Sequence, residues 1–501
     1  SDKTTAVYKL AQFEVSCRLA KQHPELAFHV FSEFSAYFNE LQPDHQRNMV
    51  SGMLPWIQTI ELQLDPSGGP TATSYMLLVN LFEITVKSRI TLHNEIQALW
   101  QALATGPYAG NVQLVLDFII DVCLDRKEQN FVIYAKQIVV FLSGTVAGAK
   151  VVEYLLLQIC PKTMVAERRD PIVSPADTTG LPYIADLAVV LPSGAKQSGL
   201  SLGQLSMILL VDLIVSPDKL PMDKLATLLQ VILVQWDQYI AIVQDQAREL
   251  LVHLIHELVI SQIEPGSTDP DKESIEEFIE SIRQHDPKIA WGYGDSEIKA
   301  GEEDSRAVSQ PMGFVVDEAV KIFSITHPTI REEWGKVTMA WATSCAVRHV
   351  ACRSFQVFRC ISTTLDQQML ADMLARLSNT IADDENHDYL IFSLEILTTL
   401  RSIIDALDPL DLLQYPQLFW TTCACLDTIF EREFQEGLSM LNHLLTKMDL
   451  SDPAVLKILK DNQPAKWEGS FLGLHALMYK GVRSSNSMGR TLAIMDRLIK
   501  L

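Results

Sequence analysis

The chain has 501 residues, of which 48% are hydrophobic and 21% are charged, so it is able to bury a large core and is not a disordered polymer. A single domain seldom reaches this length, and several domains or a repeat array are therefore expected. The formal net charge is −21, with 41 Lys and Arg against 62 Asp and Glu. This balance argues against a nucleic-acid-binding protein, which needs a dominant basic face.

Neither a secretory signal nor a membrane span is predicted. The first ten residues, SDKTTAVYKL, lack the charged-then-apolar order of a signal peptide. No apolar run reaches the roughly 18 residues that a transmembrane helix needs. The eight cysteines are sparse and unevenly spaced, which indicates the reduced thiols of a cytosolic protein rather than a disulfide framework.

One pattern recurs along the chain: apolar residues at i, i+3, i+4 and i+7, followed by a short polar or Pro/Gly break. Alternation of period two between hairpin turns is nearly absent. The pattern predicts helices, in chain order, over residues 24–41, 44–62, 73–88, 93–104, 111–124, 129–142, 148–159, 204–215, 222–236, 241–263, 271–284, 313–324, 330–343, 341–360, 366–381, 389–407, 412–430 and 434–447 and in two terminal helices. A helix pair about every 40 residues predicts an all-α fold, an α-solenoid of HEAT/armadillo-like repeats.

The array is predicted to be continuous and to be a fragment of a larger protein, with two interruptions. Helical repeat blocks are expected at residues 1–165, 203–263 and 311–501. Residues 166–202 are rich in Pro and Gly and are expected to form an irregular crossing. Residues 264–310 are expected to form an acidic insertion, because Glu264–Arg306 carries 13 acidic and 5 basic residues. Beyond the helix at 271–284, the rest of this insertion is predicted to be a mobile loop.

The segment WATSCAVRHVACRSFQVFRC, residues 341–360, has the strongest concentration of reactive side chains. Cys345, His349 and Cys352 are spaced i, i+4 and i+7 and would share one face of a helix. Zinc usually takes four ligands that turns bring together, and fixed arginines beside this row would oppose a dication. A row of buried thiols is therefore favoured over a metal site. A thiol made reactive by the arginines is the open alternative, although no base accompanies it.

Two further motifs resemble catalytic or metal sites. GLSLG at residues 199–203 matches G-x-S-x-G, but the hydrolase elbow needs a strand before Ser201, and none is predicted. Ser201 and Gln204 instead form a capping box, S-x-x-Q, at the start of a helix. His253 and His256 in LLVHLIHEL lack the H-E-x-x-H order of zinc proteases. The sequence therefore predicts no catalytic residue, no cofactor and no metal ligand.

Positive charge is concentrated on one side of the predicted helix at 341–360, in a chain that is otherwise acidic. The residues that carry it are Arg348, His349, Arg353 and Arg359. The favoured interpretation is that the arginines pair with carboxylates of the adjacent repeat. The nearby candidates are Asp372, Asp383 and Asp384. The alternative is that the four basic residues line an open groove and bind acidic or phosphorylated partner segments.

Long segments of the chain carry a family resemblance. They include GGPTATSYMLLVNLFEIT, IREEWGKVTMAWATSCAVRHVACRSFQVFRCI and PAKWEGSFLGLHALMYKGVRSS, and together they extend from about Gly68 to Ser485. These segments closely resemble the central region of the Furry family, in its fungal branch of cell morphogenesis proteins.

The resemblance implies a HEAT/armadillo-like scaffold without catalytic activity. It further implies work with NDR-family protein kinases, Mob coactivators and other protein partners in polarised growth, cell separation and morphogenesis. The implied location is the cytoplasm, enriched at the cell cortex and at sites of polarised growth. The resemblance assigns no binding residue. The alternative function is a helical-repeat transport or coat adaptor that binds cargo in its groove. The acidic charge also fits an adaptor, and only the resemblance favours the scaffold.

Overall fold

The computed structural model describes residues 2–126, 131–167, 175, 177–192, 199–215, 218, 220–266, 270–294, 306–381, 387–467 and 469–501. In this part of the chain the protein is all-α, with 24 helices, several 3-10 turns and only an isolated antiparallel bridge between Leu64 and Pro70. The predicted fold class is confirmed. None of the described helices combines the length and the apolar character that crossing a bilayer requires.

The chain divides into two units, and the first comprises Ser1–Leu225 and Ile240–Gln262. Its helices are α1 (Asp2–Gln22), α2 (Ala27–Phe38), α3 (Pro43–Gln58), α4 (Ala72–Ser88), α5 (His93–Thr105), α6 (Gly110–Arg126), α7 (Val132–Ser143), α8 (Gly148–Leu157), α9 (Leu187–Val190), α10 (Leu202–Leu210) and α12 (Ala241–Leu258). From α1 to α8, helices pack mainly against the next helix or the next but one, as α2 does on α3 and α4. Stacked helical repeats have this pattern of neighbours.

The second unit comprises Ala226–Tyr239 and Ile263–Leu501. Its helices are α11 (Leu225–Val234, from its second residue), α13 (Pro270–Arg283), α14 (Arg306–Phe323), α15 (Ile330–Ser344), α16 (Arg348–Ile361), α17 (Gln367–Ile381), α18 (His387–Ala406), α19 (Pro409–Leu412), α20 (Gln417–Leu426), α21 (Glu431–Lys447), α22 (Pro453–Asp461), α23 (Leu474–Val482) and α24 (Met488–Ile499). Helix α16 packs against α14, α15 and α18, which again is the neighbour pattern of stacked repeats.

Helix α11 is buried within the second unit although a polar side chain lies at its centre. Gln230 is fully buried. Its Nε2 donates to Ser354 Oγ at 3.0 Å, and its Oε1 accepts from Trp334 Nε1 at 3.1 Å. Because both ends of the amide are hydrogen-bonded, burial of this group does not leave a polar atom without a partner. The amide thereby links α11 to α15 and α16.

The predicted irregular crossing is anchored to the first unit by Tyr183. Ser32 Oγ donates to the Tyr183 carbonyl at 2.7 Å, and the Tyr183 N–H lies 2.9 Å from the same hydroxyl. Asn80 of α4 donates to the Tyr183 carbonyl at 3.2 Å and accepts from the Ala185 N–H at 2.7 Å. The crossing is therefore irregular but held by hydrogen bonds at this point. Residues 168–174, 176 and 193–198 of the crossing lie outside the described residues.

The acidic insertion contains α13, which matches the helix predicted at 271–284, and two buried side chains follow that helix. Trp291 is only 7% exposed, and its ring stacks on Trp236 with centroids 6.1 Å apart. Trp236 Nε1 donates to the Ile289 carbonyl at 2.8 Å. Ile289 and Trp291 therefore pack on the second unit, and the mobility of the insertion outside α13 stays a prediction. Residues 295–305 lie outside the described residues, and α14 begins at Arg306, inside the predicted insertion.

Candidate partner-binding site around helix α16

The basic segment at 341–360 is not one helix. Helix α15 ends at Ser344, and α16 begins at Arg348. Cys345 is extended, with φ −71° and ψ 128°, so it does not share a helix face with His349 and Cys352. Among the residues that the structure describes, no group of three His, Cys, Asp or Glu side chains could hold a metal ion. The predicted common face of this triad is therefore wrong, because a turn separates its first member from the other two.

The Cys352 thiol lies close to arginines yet is not activated by them. Burial raises its pKa far above the ordinary value, and the nearby Glu395 raises it further. The positive charges of Arg353, Arg359 and Arg376 act in the opposite direction and are outweighed. A thiol with a raised pKa carries little thiolate at neutral pH and is a poor nucleophile. The alternative of a reactive thiol is therefore not supported at this position.

Arg353 forms a buried ion pair with Asp237. Its Nε and Nη2 donate to Asp237 Oδ2 at 3.0 and 2.8 Å, and the two side chains are 2% and 0% exposed. Arg353 also donates to Gln356 Oε1 at 2.9 Å and to the Gly292 carbonyl at 3.0 Å. The Arg353 guanidinium therefore connects α16 to Asp237 and to the acidic insertion at Gly292. An arginine with these partners holds the fold together rather than facing a groove.

His349 belongs to the same cluster. Its Nε2 lies 3.3 Å from Asp237 Oδ2, at ion-pair distance but without the geometry of a hydrogen bond. Its ring stacks on Tyr293, with centroids 3.9 Å apart and planes inclined by 25°. Burial pushes the pKa of Asp237 up, but His349 and the Arg353 charge outweigh it and hold that pKa below its ordinary value. Asp237 therefore stays ionised inside the second unit.

Arg359 is paired within the second unit as well. Its Nη2 donates to Glu395 Oε1 at 2.6 Å, and its Nη1 donates to Thr399 Oγ1 at 2.7 Å. Glu395 is 2% exposed and Arg359 is 12% exposed. The favoured interpretation, that arginines of this segment pair with carboxylates of neighbouring helices, describes both Arg353 and Arg359. The partners are Asp237 and Glu395, not the carboxylates that lie nearer in sequence.

Arg348 is the member of the basic set that lines an open groove. The groove has a volume of about 620 Å³ and lies among α15, α16, α17 and α18. Its lining includes the charged residues Arg348, Asp372 and Arg376, and Phe392 is its largest apolar side chain. Among the lining residues that the structure describes, two guanidinium groups and one carboxylate leave a net positive charge. Planar guanidinium groups suit carboxylate and phosphate ligands.

Arg376 is a groove residue that the sequence analysis does not identify. Its Nη1 and Nη2 donate to the carbonyls of Thr343 and Cys345, at 3.3 and 2.8 Å. Its guanidinium also lies 4.9 Å from the centroid of the Phe392 ring. Arg376 thus caps the end of α15 while it contributes charge to the groove. The only sequence signal is a basic residue four positions after Asp372 on α17.

The remaining motifs have structural roles. Ser201 Oγ accepts from the Gln204 N–H at 3.2 Å, and Gln204 Oε1 accepts from the Ser201 N–H at 3.0 Å, so the predicted capping box is present. His253 Nδ1 lies 2.6 Å from the Val211 carbonyl, and its Nε2 lies 3.0 Å from Glu249. These contacts give Ser201 and His253 structural roles. Asp383 and Asp384, two of the predicted ion-pair partners, lie outside the described residues.

Comparison with protein families identifies the chain. The model described as "cell morphogenesis central region" matches residues 3–169 and 182–384, which is more than half of the chain. The chain belongs to the cell morphogenesis protein family. A second model of this family, described as "cell morphogenesis C-terminal", matches residues 416–501. The resemblance to the fungal branch of the Furry family is thereby confirmed.

Two curated members of the cell morphogenesis family match nearly the whole chain. Cell morphogenesis protein PAG1 of Saccharomyces cerevisiae is 32% identical over 503 residues, which is 99% of this chain and 20% of that protein. Cell polarity protein mor2 of Schizosaccharomyces pombe is 32% identical over 492 residues, 97% of this chain and 21% of that protein. The chain thus spans about a fifth of the length of these relatives. A solved engineered protein aligns over 93% of this chain and 98% of its own at 11% identity, but its TM-score of 0.28 carries no argument.

Proposed function

We propose that this chain is part of a non-enzymatic scaffold that organises NDR-family protein kinases and Mob coactivators in cell morphogenesis, polarised growth and cell separation. The observation that carries the proposal is the match of almost the whole chain to relatives named for cell morphogenesis and cell polarity. The proposed location is the cytoplasm at the cell cortex and at sites of polarised growth. Stacked helices support a scaffold, because they present extended surfaces to other proteins.

The non-enzymatic part of the proposal rests on the roles of the reactive side chains. Ser201 caps α10, His253 is held by a carbonyl and a carboxylate, and the Cys352 thiol is protonated. Ser201 and His253 therefore have structural roles, and the Cys352 thiol is a poor nucleophile. The described charged residues around α16 either form internal ion pairs or line one groove.

The groove lined by Arg348 and Arg376 is the proposed binding site within the second unit. An acidic or phosphorylated segment of the kinase–Mob complex would lie along its positive lining. Arg353 and Arg359 are held in internal ion pairs, and His349 is stacked on Tyr293. Of the four basic residues predicted to bind a partner, Arg348 is the one proposed to touch it.

The test measures the affinity of a purified NDR-family kinase–Mob complex for the chain and for Arg348→Glu. We expect the variant to bind at least about tenfold more weakly and with a flatter salt dependence, under conditions in which circular dichroism shows that it is folded. The matched control is Arg490→Glu on α24, an exposed arginine with the same change of charge that lies outside the groove.

Two results would contradict the proposal at different levels. Equal affinity of the wild-type chain and Arg348→Glu would rule out the groove as the binding site. Failure of the wild-type chain to bind the complex at micromolar concentrations would rule out the kinase–Mob partnership for this region.

A further inference from the structure

An open cleft of about 670 Å³ lies in the second unit, among α20, α22, α23 and α24. Its lining is mainly apolar, and it shares no lining residue with the groove at Arg348. Clefts of a few hundred cubic ångströms with an apolar lining are typical binding sites. The C-terminal helices of the chain therefore offer a second place where another molecule can bind.

Helices α22 and α24 both present a ridge of side chains to this cleft. In each helix the lining residues are spaced i, i+3 and i+4, so they lie on one helix face. They are Leu456, Leu459 and Lys460 on α22 and Met495, Leu498 and Ile499 on α24. Ridges with this spacing are the surfaces between which the ridge of another helix packs. The shape of the lining therefore suits a helical occupant.

The walls of the cleft are held in place by contacts within the second unit. Trp420 Nε1 donates to the Leu459 carbonyl at 2.9 Å and so ties α22 to α20. The Phe471 ring meets the Trp420 ring edge-on, with centroids 5.3 Å apart. Leu474 and Met495 pack against a buried core that α20, α21, α23 and α24 share. A preformed cleft lowers the entropic cost of binding.

The apolar surface continues beyond the cleft. Ile499 and Tyr479 line it and are nevertheless 83% and 59% exposed, and Leu472, beside the lining residue Phe471, is 69% exposed. Contiguous exposed apolar groups of this kind mark sites of protein–protein interaction. A single acyl chain inside the cleft would leave these side chains in water, whereas a helix that lies across the mouth would cover them. The exposed rim therefore favours a helix over a lipid.

The charge of the lining selects the polar residues of such a helix. Among the lining residues that the structure describes, Lys460, His475 and Tyr479 are the ionisable ones, and no carboxylate is among them. Lys460 is exposed on α22, and no ion pair joins it to another described residue. An occupant with a carboxylate beside its apolar face would complement this charge.

We propose that this cleft binds an amphipathic α-helix of a partner protein. The apolar face of the partner helix lies between α22 and α24, and an Asp or Glu at the edge of that face pairs with Lys460. Apolar residues at i, i+3, i+4 and i+7 of an amphipathic helix commonly fill a groove in this way. This site is separate from the groove at Arg348 and does not depend on the kinase–Mob proposal.

The test screens the 501-residue chain against a displayed library of peptides of about 15–20 residues, which is long enough for a helix. Apolar residues are fixed at i, i+3, i+4 and i+7, and all twenty residues are allowed at the flanking positions. We expect enrichment of Asp or Glu at a flanking position. The best peptide is then synthesised and used as the probe in titrations.

The first variant tests the apolar contact. Ile499→Asp places a carboxylate on the α24 ridge, and we expect the selected peptide to bind at least about tenfold more weakly. The control is Ile429→Asp, because Ile429 is 88% exposed in the same unit and lies outside the cleft. Circular dichroism checks that both variants are folded.

The second variant tests the charge. Lys460→Glu should weaken binding of the selected peptide at least about tenfold, because two carboxylates then face each other. A peptide with Lys in place of its enriched acidic residue should bind Lys460→Glu more tightly than the wild-type chain. The control is Lys321→Glu, an exposed lysine on α14 with the same change of charge.

Four outcomes would overturn the proposal. The first two are a screen without an acidic preference and undiminished affinity in Ile499→Asp and Lys460→Glu. The third is binding of oleate by a chain that selects no peptide, which would make the cleft a lipid site. The last is loss of peptide binding in the full-length protein that contains this chain, because another part of the same protein would then cover the cleft. We expect the full-length protein to bind the peptide as the 501-residue chain does.

Discussion

The hydroxyl of Tyr183 lies within hydrogen-bond distance of both carboxylate oxygens of Glu83, at 2.8 and 3.0 Å, although the two residues are 100 positions apart. Glu83 is 4% exposed in α4 and also accepts from Asn39 Nδ2 at 3.0 Å. Burial, together with the hydrogen bond to Glu83, raises the pKa of Tyr183 to about 12, so the hydroxyl stays protonated at neutral pH. The irregular crossing thus covers a buried carboxylate and supplies a donor to it.

Replacing Tyr183 by Phe removes that donor. We expect the free energy of unfolding to fall by about 1–3 kcal/mol, because a buried acceptor loses a hydrogen bond. Urea denaturation measures the change. The control is Tyr37→Phe, since Tyr37 is 62% exposed on α2 of the same unit. Equal stability of the two variants would show that the Tyr183 hydroxyl adds nothing to the fold.

The ion pair between Arg353 and Asp237 is suited to a double-mutant cycle. Arg353→Met or Asp237→Asn alone leaves one buried charge without its partner, and each is expected to cost about 3–5 kcal/mol. The double variant should lose less than the sum of the two. Lys500→Met and Asp496→Asn form the control cycle, because this pair is exposed on both sides and should show little coupling. Additive losses at Arg353 and Asp237 would contradict a coupled pair.

The lowered pKa of Asp237 predicts a pH dependence of stability. The native pKa lies below the ordinary Asp value of 3.8, so the unfolded state binds the proton more tightly. The stabilisation is therefore present above about pH 4 and is lost as the pH falls through the native pKa. We expect the stability difference between the wild type and Asp237→Asn to shrink from about pH 5 to about pH 3, measured by urea denaturation. A difference that grew over this range would mean that the native pKa is raised.

The N-cap at Ser201 contributes to the free energy of unfolding. Ser201→Ala removes the acceptor for the Gln204 N–H and should lower the free energy of unfolding by about 1 kcal/mol. Ser378→Ala is the control, because Ser378 is an exposed residue inside α17, where Ala is at least as good a helix former. An esterase activity that disappeared in Ser201→Ala would instead make the serine a nucleophile.

The packed end of the acidic insertion is tested at Trp291. Trp291→Ala removes the ring that stacks on Trp236, and a buried Trp-to-Ala change costs about 3–5 kcal/mol. We expect the amides of residues 287–294 to exchange with solvent much faster in this variant, as measured by hydrogen–deuterium exchange. The exposed Lys288→Ala serves as control. Fast exchange of the same amides in the wild type would contradict a packed segment.

The helices are predictable from the sequence where one face is buried, because a buried face requires apolar residues at helical spacing. Helices α4 and α13 follow the predicted ranges to within a few residues. Helix α1 is not predicted, because Ala20 is its only buried residue in the structure and no stripe marks it. The turn between α15 and α16 is also missed, since residues 345–347 contain neither Gly nor Pro.

The positive charge of the site around α16 is predictable from the sequence, but the ion-pair partners of its arginines are not. The cluster of basic residues is visible in the sequence, but the partner of Arg353 lies 116 positions away at Asp237. Asp372, nearer in sequence, lines the groove instead. The chain has 62 acidic residues, and any of them is a possible partner for a given arginine. Which carboxylate pairs with it depends on the packing of the helices and not on proximity in sequence.

The placement of α11 has a consequence for synthesis of the protein on the ribosome. Gln230 and its partner Ser354 are separated by 124 residues, so the helix leaves the ribosome long before α16 exists. At about 5–20 residues per second, the delay is roughly 6 to 25 s. Throughout that time Gln230, in the uncharged segment LATLLQVILV, lacks the hydrogen-bond partner on α16 that it has in the native state. Exposed segments of this composition aggregate readily, and we expect a nascent-chain chaperone to occupy this one until α16 has been translated.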